Sequence, residues 1–449
     1  MTDERAGDRV PLTLNQLFLG AFDEGAETGP IGLRYHLADG WLVHGPIDTD
    51  TLRAALDDVV ARHEALRTSV VHHDDGGYQL VHPPMPARLE VVDLTDVAPA
   101  DRERRAEELL NEIESREFDV RELPLIRAVL GRFDDRESVL VLLCHHTAVD
   151  GWSVRTVISD LAKLYAARHG HGVSLPTPRQ YRDFAYWQRS VAPTELERPL
   201  AYWREQLRDA RVSVLRADHP RSAGLPQATA VHRFELAPDV IAAVERLSRT
   251  TRSSPFMVLL AAFYVMQHRL TGDTDLVVPT FTPGRPEAFE KTVGTFFNFL
   301  PMRTDLTDVT SFRDALQRTR KTCLDAYSND IPTVHIFGEA PELMAPAMTD
   351  DGVAFVFQVF LIPDVMHGER VGDLELTEIH DRLISQPVGS DVPGALWTVN
   401  LDPAGKGIGS LQFNTNLLDE PTMVGLATEY CRLLKELVTA PDAHLAVAG

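Results

Sequence analysis

Cysteines and long apolar runs are scarce in this 449-residue chain, and its 44 lysines and arginines are outnumbered by 66 acidic residues. Three cysteines (Cys144, Cys323 and Cys431) do not make a disulfide framework and suit a reducing compartment, so we expect a cytoplasmic protein. No apolar run approaches the roughly 20 residues that span a bilayer, and the polar N-terminus lacks a signal-peptide core. The formal net charge of -22 argues against a nucleic-acid partner, because phosphate backbones attract basic surfaces. We therefore expect neither membrane nor nucleic-acid binding.

Several familiar catalytic motifs are also missing. The sequence has no glycine-rich phosphate loop and no nucleophile elbow. His146 and Asp150 could supply two metal ligands, but no other ligand cluster has a familiar spacing, so we expect no bound metal. Cys144 ends an apolar run, which favours a buried core thiol over a nucleophile.

Length and pattern predict two α/β lobes. A chain of 449 residues should form two domain-sized units or one divided body. Strands mixed with helices in both halves favour two similar lobes. Residues 171–180 carry two prolines and few apolar side chains, so we place the boundary there, between lobes of residues 1–175 and 176–449.

Hydrophobic periodicity predicts most individual elements. Strands are expected at residues 69–71, 78–81, 125–130, 139–144, 231–236, 276–278, 354–362, 396–401 and 410–414. Helices are expected after Asp48, over 101–116, from Ser153 to Gly170, and over 238–250, 255–270 and 421–438. An apolar stretch also covers residues 12–22.

The stretch His145-His146-Thr147-Ala148-Val149-Asp150-Gly151 joins a predicted strand to a predicted helix. Neighbouring strand residues point to opposite faces, so one histidine can enter the core while the other enters a cleft. Histidine titrates near neutral pH, and this arrangement therefore predicts a site that moves a proton. Residues 72–76 (HHDDG) have a similar composition, but they occupy the tip of a predicted hairpin and are interpreted as structural.

HHTAVDGWS (145–153) resembles the HHxxxDGxS signature of condensation domains from nonribosomal peptide synthesis. ARHEALRTSV (61–70), YRDFAYWQ (181–188), GRPE (284–287) and VGTFFNFLPMR (293–303) resemble further segments of that family, in the same order. The likeness covers nearly the whole chain. The HxxxD part alone, shared with chloramphenicol acetyltransferase, would be weak, whereas several ordered motifs are specific.

The resemblance implies an α/β fold (an α+β sandwich) of two chloramphenicol acetyltransferase-like lobes, which form a V-shaped pseudo-dimer with a tunnel between them. It implies no permanently bound cofactor. The phosphopantetheine arm of an acyl or peptidyl carrier protein would bring the donor, and a small-molecule alcohol or amine would accept it. Such a self-contained tunnel needs no second copy, so we expect a monomer.

No adenylation or carrier module follows the last predicted helix. The resemblance therefore implies a free-standing condensation enzyme that meets its carrier protein in trans. Discrete family members of this kind work in antibiotic pathways, including those that decorate enediyne cores. They form esters as well as amides, and the sequence does not choose between these bonds.

The resemblance also assigns roles to residues. His146 matches the catalytic histidine, which would accept a proton from the acceptor's amine or hydroxyl or orient that group. Asp150 matches the signature aspartate, and Arg285 is its matching ion-pair partner. Gly151 would offer its N–H to the developing oxyanion. The remaining matches flank the site with less defined roles: His145, Trp152 and Ser153.

Two other functions stay open. A non-catalytic condensation-like module would recruit carrier proteins, and a CoA-dependent acyltransferase would use the same fold. Four departures from the family pattern together predict an unusual substrate. The first motif is faint around Leu14-Asn15-Gln16, residues 328–337 keep little more than the Asp and Pro of the sixth motif, no clear RDxSRNP segment is present, and Phe299 replaces a small polar residue.

Overall fold

The structure is a computed structural model, which describes residues 8–21, 32–73, 76–226, 228–361, 366–380, 382–384, 392–402 and 405–445. Three expected positions lie outside these ranges: the hairpin tip at residues 74–75, the last residue of the apolar stretch, Phe22, and the last residue of the strand expected over 354–362, Ile362. No helix within them is both long enough and apolar enough to cross a membrane.

The described strands are β1 (Asp8–Pro11), β2 (His36–His44), β3 (Thr68–His73), β4 (Gly76–Val81), β5 (Arg88–Asp93), β6 (Ile126–Arg132), β7 (Glu137–His145), β8 (Val214–Arg216), β9 (Thr229–Leu236), β10 (Asp275–Thr282), β11 (Asn298–Asp305), β12 (Gly352–Leu361), β13 (His367–Val371), β14 (Leu374–Glu378), β15 (Ala395–Leu401) and β16 (Gly407–Asn414). The described α-helices are α1 (Leu14–Gly20), α2 (Thr49–Arg62), α3 (Arg102–Glu114), α4 (Gly151–Arg168), α5 (Tyr181–Ser190), α6 (Pro193–Gln206), α7 (Pro238–Thr251), α8 (Pro255–Thr271), α9 (Phe312–Ser328), α10 (Thr333–Glu339) and α11 (Glu420–Thr439). This mixture confirms the predicted α/β class.

The chain divides into two compact units, each assembled from three segments. Unit 1 contains Met1–Val191, Pro283–Phe297 and Asp364–His380, and unit 2 contains Ala192–Thr282, Asn298–Pro363 and Asp381–Gly449. Helix α5 belongs to unit 1 because its Tyr181 and Phe184 are buried in that unit's core. The lobe boundary at residue 175, the V shape and the tunnel stay predictions.

Unit 1 is built on a six-stranded sheet in the order β13-β14-β2-β7-β6-β5, antiparallel except for the parallel pair β5–β6. Strand β7 is buried from Ser138 onward, and its side chains alternate between two cores. Leu140, Leu142 and Cys144 pack with helices α2 and α4, whereas Val139, Val141 and Leu143 pack with α3. Burial raises the pKa of the Cys144 thiol well above its usual range, as suits a core side chain.

Unit 2 contains a five-stranded sheet in the order β8-β12-β15-β16-β9, in which only β12 and β15 run parallel, and the antiparallel pair β10–β11. Helix α8 is buried from Met257 to Gln267, since α7 and α11 pack against it. Its Phe263 lies against Phe357 and Trp397 of the sheet. Every strand and helix expected in this half is present, with ends shifted by a few residues.

Candidate active site

The candidate site occupies the turn between β7 and α4. His145 is the last residue of β7, and α4 begins at Gly151. Asp150 is the helix N-cap, with extended backbone (φ -110°, ψ 176°) and a side chain that accepts a hydrogen bond from the Ser153 N–H at 2.7 Å. The cap ends the turn and fixes where the helix starts.

His145 enters the core of unit 1. Its ring is fully buried and meets Phe118 edge-on, with centroids 5.8 Å apart. Its Nδ1 lies 2.9 Å from the Thr147 hydroxyl and accepts from the Thr147 N–H at 3.3 Å, which places the ring proton on Nε2. Burial lowers the pKa of His145 to about 3, so the ring is neutral at physiological pH. These contacts describe a structural histidine.

His146 is only half-buried, and it carries the opposite tautomer. Its Nδ1 lies 2.7 Å from the carbonyl oxygen of Val149. A carbonyl can only accept, so Nδ1 carries the proton and the lone pair is on Nε2. No other residue in the described ranges forms a hydrogen bond with that Nε2. Burial lowers the pKa of His146, which keeps the ring neutral and able to accept a proton near pH 7.

Two aromatic rings bracket the His146 imidazole, and the sequence reading missed both. Tyr35 stacks on it with centroids 4.7 Å apart and planes 13° apart. Phe297 meets it edge-on at 5.5 Å and 64°. The His146 N–H also donates to the Tyr35 carbonyl at 2.9 Å. Phe297 lies within a segment that resembles the family. Tyr35 lies in no such segment, and only the structure, in which it directly precedes β2, places it beside His146.

A buried ion pair between Asp150 and Arg285 fixes the turn in place. Nη2 of Arg285 lies 2.8 Å from Oδ1 and 2.9 Å from Oδ2 of Asp150. The side chain of Arg285 is 3% exposed and that of Asp150 is 9% exposed. The Phe296 N–H also donates to Asp150 Oδ2, at 3.1 Å. The Ser153 N–H donates to Oδ1, so both oxygens of the carboxylate accept a backbone hydrogen bond as well as one from Arg285.

Arg285 reaches further along its own segment. Nη1 donates to the carbonyls of Phe289 (3.1 Å) and Thr292, and the guanidinium lies over the Phe296 ring, 3.9 Å from its centroid. Burial lowers the pKa of Arg285, while the adjacent Asp150 carboxylate opposes that effect. Ser153 adds a second tie, because its hydroxyl donates to the Gly294 carbonyl at 2.7 Å and accepts from the Gly294 N–H at 3.1 Å. These bonds fix residues 285–296 against the turn.

Gly151 faces open space. A methyl group built at its Cα would have no protein atom within 4 Å among the described residues, so packing does not require glycine there. Trp152 is 46% exposed and donates its indole N–H to the Glu290 carbonyl at 3.0 Å.

All seven predicted site residues thus lie in unit 1, around one turn, and their catalytic roles stay predictions. Phe299 lies on β11 in unit 2, against Phe281 and Phe337. In the part of the chain that the structure describes, no three His, Cys, Asp or Glu side chains are grouped so that they could hold a metal ion.

Comparison with known proteins identifies the family. The profile described as "Condensation domain" matches residues 32–447. The chain belongs to the condensation-domain family. Members of this family catalyse amide or ester bond formation. A linear gramicidin synthase of Brevibacillus parabrevis is 31% identical over 93% of this condensation domain, and phosphinothricin tripeptide synthetase PhsC of Streptomyces viridochromogenes is 32% identical over 97%. The chain spans only 8% and 40% of the lengths of these two relatives.

Solved structures match over nearly the whole condensation domain. The SgcC5 protein from Streptomyces globisporus, crystallised with (R)-(-)-1-(2-naphthyl)-1,2-ethanediol and sucrose, is 47% identical, with a TM-score of 0.93 over 97% of this chain and 100% of that one. The first condensation domain of the calcium-dependent antibiotic synthetase, 20% identical, gives 0.77 over 99% of this chain and 100% of that one. The fold is the chloramphenicol acetyltransferase-like fold of condensation domains.

Proposed function

We propose that this condensation domain transfers an acyl group from a carrier-protein phosphopantetheine thioester to a hydroxyl of a small aromatic alcohol, and so forms an ester. The observation that carries the proposal is the fixed tautomer of His146, whose Nδ1–H is bound to the Val149 carbonyl and whose Nε2 lone pair is hydrogen-bonded to no other described residue. That nitrogen is the one that can take a proton from an attacking hydroxyl.

The reaction balances with residues of this turn. Nε2 of His146 takes the acceptor's proton as its oxygen attacks the thioester carbonyl, and a tetrahedral oxyanion forms. The N–H of Gly151, at the first position of α4, lies where a helix N-terminus favours negative charge. Collapse of this intermediate breaks the carbon–sulfur bond, and the departing thiolate takes from His146 the proton that came from the acceptor hydroxyl. Asp150 and Arg285 hold the turn and do not touch the reacting atoms.

The choice of an alcohol rests on a relative. SgcC5, 47% identical over its full length, was crystallised with an aromatic vicinal diol, which offers hydroxyls and no amine. We infer an aromatic acceptor for this chain on the same ground. The carrier-bound donor rests on the family, since condensation domains work with carrier proteins.

The test offers one acyl group on three donors: a carrier protein, CoA and free pantetheine. The acceptors are (R)-1-(2-naphthyl)-1,2-ethanediol and its amine counterpart, and product is followed by mass spectrometry over a panel of acyl groups. We expect ester, formed with the carrier-bound donor. Equal rates from CoA would favour a CoA-dependent acyltransferase, amide alone would overturn the ester, and carrier binding without product from any pair would favour a recruiting module.

A further inference from the structure

Tyr35 contacts the reacting histidine in two ways. Its ring covers one face of the His146 imidazole, nearly parallel to it, and its carbonyl accepts the His146 backbone N–H. Burial raises the pKa of the Tyr35 phenol above its usual range, so the ring stays a neutral phenol at working pH. The electron-rich face of a neutral aromatic ring therefore lies against the imidazole.

This geometry matters most after proton transfer. When Nε2 accepts the acceptor's proton, the ring becomes an imidazolium, and its positive charge lies 4.7 Å from the centroid of the Tyr35 ring. A cation this close to an aromatic face is attracted by the ring quadrupole, and more so in a desolvated site. Neutral imidazole gains far less, so the contact favours the protonated state that forms during the reaction.

Phe297 also contacts the His146 imidazole, but its ring is tilted by 64° and does not lie along the imidazole face as the Tyr35 ring does. The charged and titratable groups near His146 do not supply a free negative charge either. Asp150 is the nearby carboxylate, and Arg285 already neutralises it. His145 is neutral, and burial lowers the pKa of His36, whose Nε2 donates to the Glu114 carbonyl at 2.7 Å. The Val149 carbonyl binds the imidazolium at Nδ1, and the Tyr35 ring covers its face.

We propose that Tyr35 is a positioning residue that holds the His146 ring in place and stabilises its protonated form through its aromatic face. The proposal rests on the proposed base role of His146. A purely structural role would depend on the shape of the Tyr35 side chain, whereas this role depends on the electron density of its ring.

The experiment varies the electron density of the ring at position 35 in steps while its shape stays nearly constant. Tyr35 is replaced by phenylalanine, and by mono-, di- and trifluorophenylalanine through codon suppression, and Tyr35→Leu removes the ring. The pKa of His146 is read by NMR of histidine-labelled protein, with its signal assigned by His146→Ala. Turnover is measured in parallel. The same fluorinated residues at exposed Tyr186 serve as the matched control.

In Tyr35→Phe, we expect the pKa of His146 and the kcat of the enzyme to stay close to their wild-type values. Each added fluorine should lower both, to a total of roughly tenfold in kcat and about one unit in pKa at three fluorines, with the KM for the carrier unchanged. A flat series in both readouts, with an unchanged circular dichroism spectrum, would overturn the proposal even if Tyr35→Leu fails to fold. If the fluorine series changes neither the pKa nor kcat and His146→Ala is inactive, only the role proposed for Tyr35 is wrong. If His146→Ala is active, the proposed function is wrong, and the NMR titration still measures whether the Tyr35 ring changes the pKa of His146.

Discussion

One nitrogen of Arg285 binds both carboxylate oxygens of Asp150, at 2.8 and 2.9 Å, and both side chains are buried. The pair joins two segments 135 residues apart. Removing one partner of such a pair leaves a buried charge without compensation, which costs much more than losing a surface contact.

Asp150→Asn should therefore destabilise the fold as well as slow the reaction. The amide leaves the Arg285 charge uncompensated, and we expect the free energy of unfolding to fall by about 3–5 kcal/mol in urea denaturation. Asp50→Asn is the matched control, because Asp50 pairs with Arg53 at 2.7 Å but is 93% exposed, and we expect almost no change there. If Asp150→Asn unfolds at the same urea concentration as the parent, the architectural role assigned to the pair is wrong.

Gly151→Ala should separate catalysis from stability. An added methyl group meets no described protein atom within 4 Å, and alanine is the better helix former, so the melting temperature should hold or rise. Turnover should drop at least roughly tenfold, because the methyl group occupies space beside the N–H that we assign to the oxyanion. Gly425→Ala is the control, since Gly425 lies in α11 with equally open surroundings. Unchanged turnover in Gly151→Ala would remove that glycine from the reaction.

The pKa of His145 predicts acid sensitivity of the fold. Its pKa is about 3 in the folded protein and 6.5 in the unfolded chain, so the unfolded state binds more protons between these values. The free energy of unfolding should fall as pH drops below 6.5. His145→Asn keeps an acceptor for the Thr147 N–H but does not titrate, so it should cost roughly 1–3 kcal/mol at pH 8 and flatten the slope between pH 6.5 and 4. Urea denaturation of the parent and of His145→Asn at pH 8, 6 and 4.5 checks this prediction. If the free energy of unfolding falls equally steeply with decreasing pH in both proteins, the prediction is wrong.

The strand, turn and helix of the site could be predicted because β7 is a continuous apolar run and Asp150 is a good helix cap. Strand β2 was missed because Asp39 and Gly40 interrupt its pattern. The structure explains the glycine: a Cβ on Gly40 would lie 3.2 Å from Leu110 and from Ile379. Such close packing against distant residues leaves no local signal.

Contacts between distant segments were the harder part. The Asp150–Arg285 pair was expected only through the family resemblance, since nothing near either residue indicates the other. Tyr35 and Phe297 belong to different segments of unit 1, on either side of His146 in the sequence, so no spacing rule brings them together. The same holds for Pro283–Phe297 and Asp364–His380, which follow a long excursion of the chain through unit 2.

The central claim is that Nε2 of His146 accepts the acceptor's proton. The most direct measurement is the pH profile of kcat for ester formation in the wild type, beside the rate of His146→Ala at pH 7.5. Because burial lowers the pKa of His146, the wild-type rate should fall with unit slope only below pH 6.5. His146→Ala should lose roughly 10²–10⁴-fold in kcat while its urea curve stays close to that of the parent. A folded His146→Ala variant with wild-type kcat and the same acid limb would contradict the account.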